Sequence, residues 1–203
     1  MRLQLLSGFA VLLCTLCVRA EDKAEAKLDL FPLAKGMKWE YEVNVNGLTK
    51  EIVQEVTAVT AGKKGERAVA TLTTKIESQT ITEDMSTDDK AIYRHAFNGV
   101  ALETPLIIVK YPFKAESKWK ESIKIANDEA DAKFVTFKSE EIKVAAGKYT
   151  AYPVLMEMET KGQKISSKNW YADGVGMVKQ EVDFGGMMIT MELKKFTKAK
   201  KDD

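Results

Sequence analysis

Cysteine, histidine and proline are all scarce in this chain of 203 residues, which has two cysteines, one histidine and four prolines. The common transition-metal centres need several histidine or cysteine ligands, and one histidine cannot supply them. Nucleophilic catalysis needs an activated serine, cysteine or threonine beside a base, and the sequence has no G-x-S-x-G segment. We therefore expect no catalytic residue, no metal site and no cofactor, and a protein that is not an enzyme.

Long apolar runs are absent after the first twenty residues. Met1 and Arg2 form a short positive start, residues 3–18 are almost wholly apolar, and the segment ends in Val18-Arg19-Ala20. This layout predicts a secretory signal peptide over residues 1–20, with cleavage after Ala20. The run is shorter than the roughly 20 residues of a comfortable membrane span, so we expect no transmembrane segment in the mature chain.

Both cysteines, Cys14 and Cys17, lie inside this leader. Each is preceded by leucine, whereas attachment of a lipid needs a small residue there, so a lipoprotein anchor is not expected. Arg2 and Arg19 leave with the leader and no acidic residue does, so the net charge changes from +1 to −1. That balance gives no broad electrostatic attraction to nucleic acid.

The mature chain also lacks disulfides and any N-x-Ser/Thr glycosylation acceptor. Small secreted domains of eukaryotes usually carry disulfides, but a chain of about 180 residues can bury enough surface without them. These absences favour an exported protein of a bacterium, in the periplasm or outside the cell.

From Trp39 onward the apolar residues recur with a period of two, which is typical of strands. Trp39, Tyr41, Val43 and Val45 alternate with polar residues, and Asn46-Gly47 then supplies the positive-φ pair that a tight hairpin needs. Similar segments follow at hairpin spacing, and we count about ten to twelve short strands.

This pattern predicts one all-β domain, a single antiparallel meander that forms a strongly curved sheet or barrel, because a flat sheet of this length would expose its edges. The predicted divisions are a signal peptide (1–20), a flexible spacer (21–29), the all-β domain (30–197) and a charged tail (198–203).

Three local interpretations are open to test. We expect Ala91, Tyr93, His95 and Phe97 to share one face of a strand. Residues 127–133 are expected to form a turn, and residues 62–65 another. A single histidine on such a strand is expected to have a structural role.

Three segments carry a resemblance to known proteins. Residues 31–41 have the pattern F-P-L-x-x-G-x-x-W-x-Y, residues 144–152 the pattern V-x-A-G-x-Y-x-x-Y, and residues 170–179 the pattern W-Y-x-x-G-V-G-x-V-K. In this order they resemble a broad group of secreted bacterial all-β proteins with domains of unknown function. The resemblance implies export and fold, and brings no catalytic residues. The fold of such proteins is similar to the curved sheets of periplasmic lipoprotein carriers, and Trp39 and Tyr41 would plug one end of such a barrel.

Methionine is concentrated in the C-terminal third of the chain. Because its side chain is flexible and polarizable, it suits irregular cavities and adaptable binding surfaces, although it also fills ordinary cores. If the sheet curls without closing, these residues line an apolar groove. The candidate ligand-binding residues are Met156, Met158, Met187, Met191 and Trp170.

Three functions remain open at this point. We expect a noncatalytic envelope protein that binds a hydrophobic ligand or another envelope protein through its curved sheet. One alternative is a structural or interaction module with a filled core and no ligand. The other is a hydrolase that uses carboxylates such as Glu157 and Glu159, which alternate with Met156 and Met158 and are therefore expected on the solvent side.

The signal peptide gives a direct test. When the full chain is expressed in a bacterium with an intact export pathway, the mature protein is expected to begin at Glu21. Intact-mass spectrometry of the exported fraction measures this. A retained Met1 or an acylated Cys17 would contradict the prediction.

Overall fold

The computed structural model describes residues 27–62, 67–125, 128–160 and 162–200. Within these ranges the chain forms strands and turns and no helix, and hence no helix that could cross a membrane. The strands are β1 (Lys38–Val45), β2 (Leu48–Thr60), β3 (Val69–Ile76), β4 (Gln79–Thr87), β5 (Ala91–Phe97), β6 (Val100–Lys110), β7 (Lys118–Ile125), β8 (Asp128–Thr136), β9 (Glu140–Val144), β10 (Gly147–Thr160), β11 (Gln163–Ala172), β12 (Gly176–Phe184) and β13 (Met187–Thr197).

All thirteen described strands belong to one antiparallel sheet, with the order β6-β5-β4-β3-β2-β1-β13-β12-β11-β10-β8-β7. The short strand β9 pairs with β10 beside this path. Neighbours along the path are mostly neighbours in sequence, with two exceptions. β10 joins β8, and β1 joins β13 and so brings the two halves of the meander together. The predicted all-β meander is confirmed.

The sheet curves until its two edge strands meet. β6 and β7 lie against each other, and the indole Nε1 of Trp119 on β7 donates a hydrogen bond to the Ile107 carbonyl at 3.2 Å. Leu106 and Val109 of β6 are buried, as expected for a run that is apolar on both faces. The result is a nearly closed barrel in which neither edge is left fully open to another chain.

The two ends of the barrel differ. Two-residue turns at 46–47, 77–78, 98–99 and 185–186 lie together at one end, which we call the mouth. Asn46, Gly47, Asn98 and Gly99 all have positive φ, which confirms the two predicted Asn-Gly hairpins. The longer connections and the N-terminal residues lie at the other end, which we call the closed end.

Aromatic side chains block the closed end, and we call them the floor: Phe31, Trp39, Tyr41, Tyr171 and Phe196. Trp39 is fully buried between Phe31 and Phe196, with ring centroids 6.1 Å and 5.5 Å away. Its Nε1 donates to the Val175 carbonyl at 2.7 Å. Each such aromatic pair contributes about 0.5–1.5 kcal/mol beyond simple burial. Trp39 and Tyr41 therefore plug one end of the barrel, as the sequence predicted.

The chain reaches the floor through residues 28–33, which we call the strap. Leu30 is fully buried, its backbone N–H donates to the Tyr111 hydroxyl at 3.1 Å, and the Asp29 N–H donates to the Asp173 carboxylate at 2.7 Å. The Asp29 carbonyl in turn accepts from the Gly174 N–H at 2.8 Å. These bonds fasten the strap to the turn between β11 and β12.

The predicted signal peptide, residues 1–20, lies outside the described residues, as does most of the predicted spacer. Residues 27–29 are described, and Leu28 packs against the core. At the other end β13 stops at Thr197, and residues 198–200 have no regular structure.

Two local predictions were wrong. Phe97 does not share a face with His95: it lines the interior together with Arg94, because bulges in the β4–β5 and β5–β6 pairings shift the alternation. Residues 128–133 belong to strand β8 and are not a turn. Their many charged side chains gave no alternating apolar pattern in the sequence. Pairing with the neighbouring strand β10 holds them in a strand. The turn predicted at 62–65 lies largely outside the described residues.

Gly176 allows the floor to close. It has φ +101°, and a Cβ there would lie 3.3 Å from the indole Nε1 of Trp39, a ring that is held by stacking on both sides. Gly186 at the mouth has the same φ of +101° with nothing within 4 Å of an added Cβ.

Replacing each glycine by alanine separates the two effects. Gly186→Ala is expected to cost about 1–3 kcal/mol of unfolding free energy from the unfavourable φ alone. Gly176→Ala is expected to cost a further ~1–3 kcal/mol because the methyl group overpacks against Trp39. Urea denaturation of both variants measures the difference, and equal losses would contradict this account of the floor.

Candidate functional site: a cavity inside the barrel

The barrel encloses a cavity of about 720 Å³. It lies between the floor, where Phe31 and Tyr41 contribute to its wall, and the mouth, where Leu48 and Phe97 do so. Leu48 and Phe97 are exposed at 70% and 43%, so the cavity reaches the surface at the mouth. This volume is within the range of about 300–1,000 Å³ that is usual for small-molecule sites.

Inward-facing residues of most strands make the wall largely apolar. Because side chains alternate across each strand, one face of each period-two segment points into the barrel. The apolar wall residues include Val43, Val45, Ile52, Ile76, Ile81, Met85, Ile92, Ile108, Val154, Ile165, Val182, Phe184 and Ile189. Such a surface favours the uncharged, hydrocarbon part of a ligand over water.

Two groups of polar side chains in the wall are paired within themselves. The Gln54 side-chain amide donates to the Thr74 hydroxyl at 3.2 Å. Across the barrel, the Gln180 amide donates to the Asn169 side-chain oxygen at 2.7 Å and contacts the Ser167 hydroxyl at 3.3 Å. Paired groups of this kind can be buried beside an apolar ligand at little cost.

A third polar group in the wall, an ion pair beside Phe97, is not fully satisfied. Arg94 Nη2 lies 2.6 Å from the Glu83 Oε1 atom, which makes an ion pair facing the cavity. Among the described residues, Arg94 Nε and Glu83 Oε1 nevertheless have no aligned hydrogen-bond partner. Tyr171, which is 5% exposed, also lines the cavity, and nothing in the described part of the chain hydrogen-bonds its hydroxyl.

The electrostatics of these tyrosines reflect their surroundings. Burial raises the pKa of Tyr171 well above its usual range, and the nearby charges of Arg94 and Glu83 act on it in opposite directions. Burial likewise raises the pKa of Tyr41, and that of Tyr111 beside the strap to about 12. The Tyr171 hydroxyl therefore stays protonated at neutral pH and can donate a hydrogen bond into the cavity.

The sequence-predicted ligand residues fall into two sets. Met156 and Met191 line the cavity. Met187 is 41% exposed beside the turn at the mouth. Met158 is half-buried and packs against the core, opposite Ile165, but it lies outside the cavity wall. Trp170 points away from the cavity, where its Nε1 donates to the Glu140 carboxylate at 2.7 Å and Lys168 stacks over its ring.

Sequence analysis missed Glu83, Arg94 and Tyr171 as cavity residues. A usable signal exists for the first two, because each follows an apolar inward position by two residues: Ile81 precedes Glu83, and Ile92 precedes Arg94. A charged residue at an inward position of two adjacent strands indicates a buried ion pair. Tyr171 gives no such signal, since its neighbour Trp170 is equally apolar.

The carboxylates considered for hydrolysis lie on the outer surface. Glu157 is opposite Lys133 on β8, and Glu159 is opposite Lys164 on β11. Both glutamates are exposed along an open groove that is lined mostly by polar and charged side chains. This placement matches their expected solvent-side position and gives them cross-strand charge partners.

His95 forms the one serine–histidine contact found in the described residues. Its Nε2 lies 2.7 Å from the Ser86 hydroxyl oxygen. Ser86 is completely buried, however, so a substrate cannot reach it. Burial lowers the pKa of His95, and the positive charge of Arg67 lowers it further. The neutral ring and the serine hydroxyl share this hydrogen bond, which gives the pair a structural role.

Comparison with known proteins supports the fold. A family model described as DUF3108-like matches residues 107–189, less than half of the chain. A protein assigned as a lipoprotein from Parabacteroides distasonis has a similar structure, with a TM-score of 0.57, 14% identity, and coverage of 84% of this chain and 99% of that one. A protein assigned as exported, with a YmcC-like fold, from Bacteroides fragilis has a TM-score of 0.55, 15% identity, and coverage of 83% and 98%.

A comparison with curated proteins gave no match. At these identities the two structures establish a shared fold, and the expected likeness to exported bacterial all-β proteins is confirmed at that level. The family match contains the motif at 170–179, with Tyr171 of the floor, whereas the motif at 31–41 lies outside it.

The lowered pKa of His95 predicts a pH effect on stability. Because the unfolded chain binds a proton near the usual pKa of about 6.5 and the folded chain does not, the unfolding free energy falls as the pH drops through that value. His95→Gln keeps a partner for Ser86 and cannot titrate. Between about pH 7.5 and about pH 5.5, its urea midpoint should fall less than that of the unmodified protein. Equal falls would show that His95 makes no contribution.

Proposed function

We propose that this chain is a noncatalytic, exported envelope protein that holds a hydrophobic or amphipathic ligand inside its barrel. The observation that carries the proposal is the cavity of about 720 Å³, which has an apolar wall and reaches the surface at the mouth. Largely apolar cavities with a few polar groups are the usual form of small-molecule sites.

The cavity also bears on the alternative of a filled, purely structural module. A close-packed core leaves few voids larger than a water molecule. Here inward-facing side chains such as Val43, Ile189 and Met191 face open space and are only partly buried. Exposing this much apolar surface to water costs free energy, and a bound apolar ligand would recover it.

Two independent features support export. Residues 1–20 have the layout of a signal peptide. The two similar structures are assigned as a lipoprotein and as an exported protein. We propose that the mature protein works in the bacterial envelope, where an apolar molecule needs a protein cover to pass through water.

Filling the cavity tests the function. Ile189 faces the cavity, whereas its neighbour Met188 on the same strand is exposed at 47% and lies outside the cavity wall. The purified protein should bind an apolar fluorophore with increased emission. Ile189→Trp should weaken that binding about tenfold or more, because the added indole occupies the ligand's space.

Met188→Trp is the matched control and should leave the affinity unchanged. Circular dichroism checks that both variants keep the strand signal of the parent. Fluorophore binding that is absent from the parent protein, or unaffected by Ile189→Trp, would refute the proposed function.

A further inference from the structure

The polar groups of the cavity are not equivalent, and the difference indicates which ligand the site takes. Gln54 and Thr74 bond to each other, as do Gln180 and Asn169, so neither pair needs a ligand. Among the described residues, Arg94 Nε and Glu83 Oε1 are buried without an aligned partner, and the Tyr171 hydroxyl, which lines the cavity, makes no hydrogen bond. Unmet hydrogen-bonding capacity in a buried place is costly and calls for a partner.

The Tyr171 hydroxyl lies toward the floor. Tyr171 is the last residue but one of β11 at the closed end, and its ring packs edge-on against Phe31 of the strap at 6.2 Å. Along β11 the cavity wall extends from Tyr171 to Ile165 near the mouth, about 20 Å at ~3.3 Å per residue. The Arg94–Glu83 pair lies between Tyr171 and the mouth: its charges act on the pKa of Tyr171, and the Arg94 guanidinium is 5.7 Å from the Phe97 ring. On β5, Arg94 is nearer the closed end than Phe97 by three residues, so these polar groups lie inward of Phe97.

The outer end is apolar. Among the described residues, seven large apolar side chains are exposed, and five of them flank the turns at the mouth: Leu48, Phe97, Val100, Met187 and Met188. The cation at the mouth, Lys50, is paired with Glu77 at 2.7 Å. A hydrocarbon chain is thus favoured near the mouth and a polar headgroup near the floor.

The charge of the inner end is balanced. Arg94 is positive and Glu83 negative, and they are in contact. A charged headgroup would lose its hydration on entry and would meet a pair with no net charge to offset that loss. The site instead offers the donors of Arg94 and Tyr171 beside the acceptor of Glu83. A group that both donates and accepts, such as a hydroxyl or an amide, fits all three.

Building on the proposed function, we propose that the ligand is an amphiphile with an uncharged hydroxyl or amide headgroup, bound with that headgroup inward at Tyr171, Arg94 and Glu83. Its apolar chain extends toward the mouth and is covered at its end by Leu48 and Phe97, which line the cavity there.

Probes with one chain and different headgroups test this inference. Dodecanol, dodecanoate and dodecyltrimethylammonium compete with the apolar fluorophore for the purified, processed protein. Dodecanol should displace the fluorophore about tenfold better than either charged probe. Dodecanoate binding as tightly as dodecanol would overturn the inference while leaving the proposed function intact. Failure of the fluorophore itself to bind would refute both.

Three variants locate the headgroup. Tyr171→Phe keeps the ring and should weaken dodecanol about three- to tenfold, with the affinity for the headless fluorophore unchanged. Glu83→Gln leaves Arg94 unpaired and should improve dodecanoate about tenfold, which removes the preference for dodecanol. Lys50→Gln at the mouth is the matched control and should change neither.

A ligand bound with its headgroup at the mouth would respond to the variants in the opposite way. If the headgroup lies at the mouth, Lys50→Gln alters the order of the probes and Tyr171→Phe does not, and the inference is wrong. Glu83→Gln without any gain for dodecanoate also overturns it. Thermal unfolding confirms that each variant is folded before its affinities are compared.

Discussion

The contact between Trp39 and the turn after β11 is the constraint on which the rest of the barrel depends. The two sides of this contact are 136 residues apart in sequence, yet the indole N–H donates to the Val175 carbonyl and the Tyr41 hydroxyl donates to the Met177 carbonyl at 2.9 Å. These bonds join the first strand to the twelfth across the intervening β13. They fix the curvature at the closed end, so the sheet must curl there before its edge strands can meet.

That floor explains why the cavity survives. An open sheet of this size would collapse its apolar face onto itself or onto a second layer. Here the aromatic side chains at one end hold opposite walls apart, while two-residue turns at the other end add no chain that could fold inward. The space between them is bounded by strands whose backbone hydrogen bonds are already made, and so it remains open to a ligand.

The sequence predicted the strands and the tight turns because both have local causes. Alternating side chains follow from the geometry of an extended chain, and the pair Asn46-Gly47 favours the positive φ of a tight hairpin. The shift of Phe97 to the inner face could not be predicted, since it arises from bulges whose position depends on the paired strands. Local patterns thus fix which residues are extended and leave their final faces to strand pairing.

The candidate site was less predictable for the same reason. An inward-facing methionine has one sequence signature whether the interior is filled or hollow, so Met156 and Met191 could not be separated in advance from Met158 and Met187. The difference lies in the circumference of the barrel, which is a property of all strands together. Trp170 was predicted as a ligand contact because of its large apolar ring. Because side chains alternate along β11, Trp170 faces outward and its neighbour Tyr171 faces the cavity.

The path of the chain through the barrel bears on how a ligand would enter. The strap approaches the floor, and β13 ends beside it with Phe196 against Trp39, so both described termini lie at the closed end. Any ligand exchange must then take place at the mouth, where the connections are short and the exposed side chains are apolar. A chain that emerges from an export pathway at its N-terminus would form its last contact, between β1 and β13, only after all other strands had been delivered. The cavity would therefore be completed late in folding, when the mouth is the remaining way in.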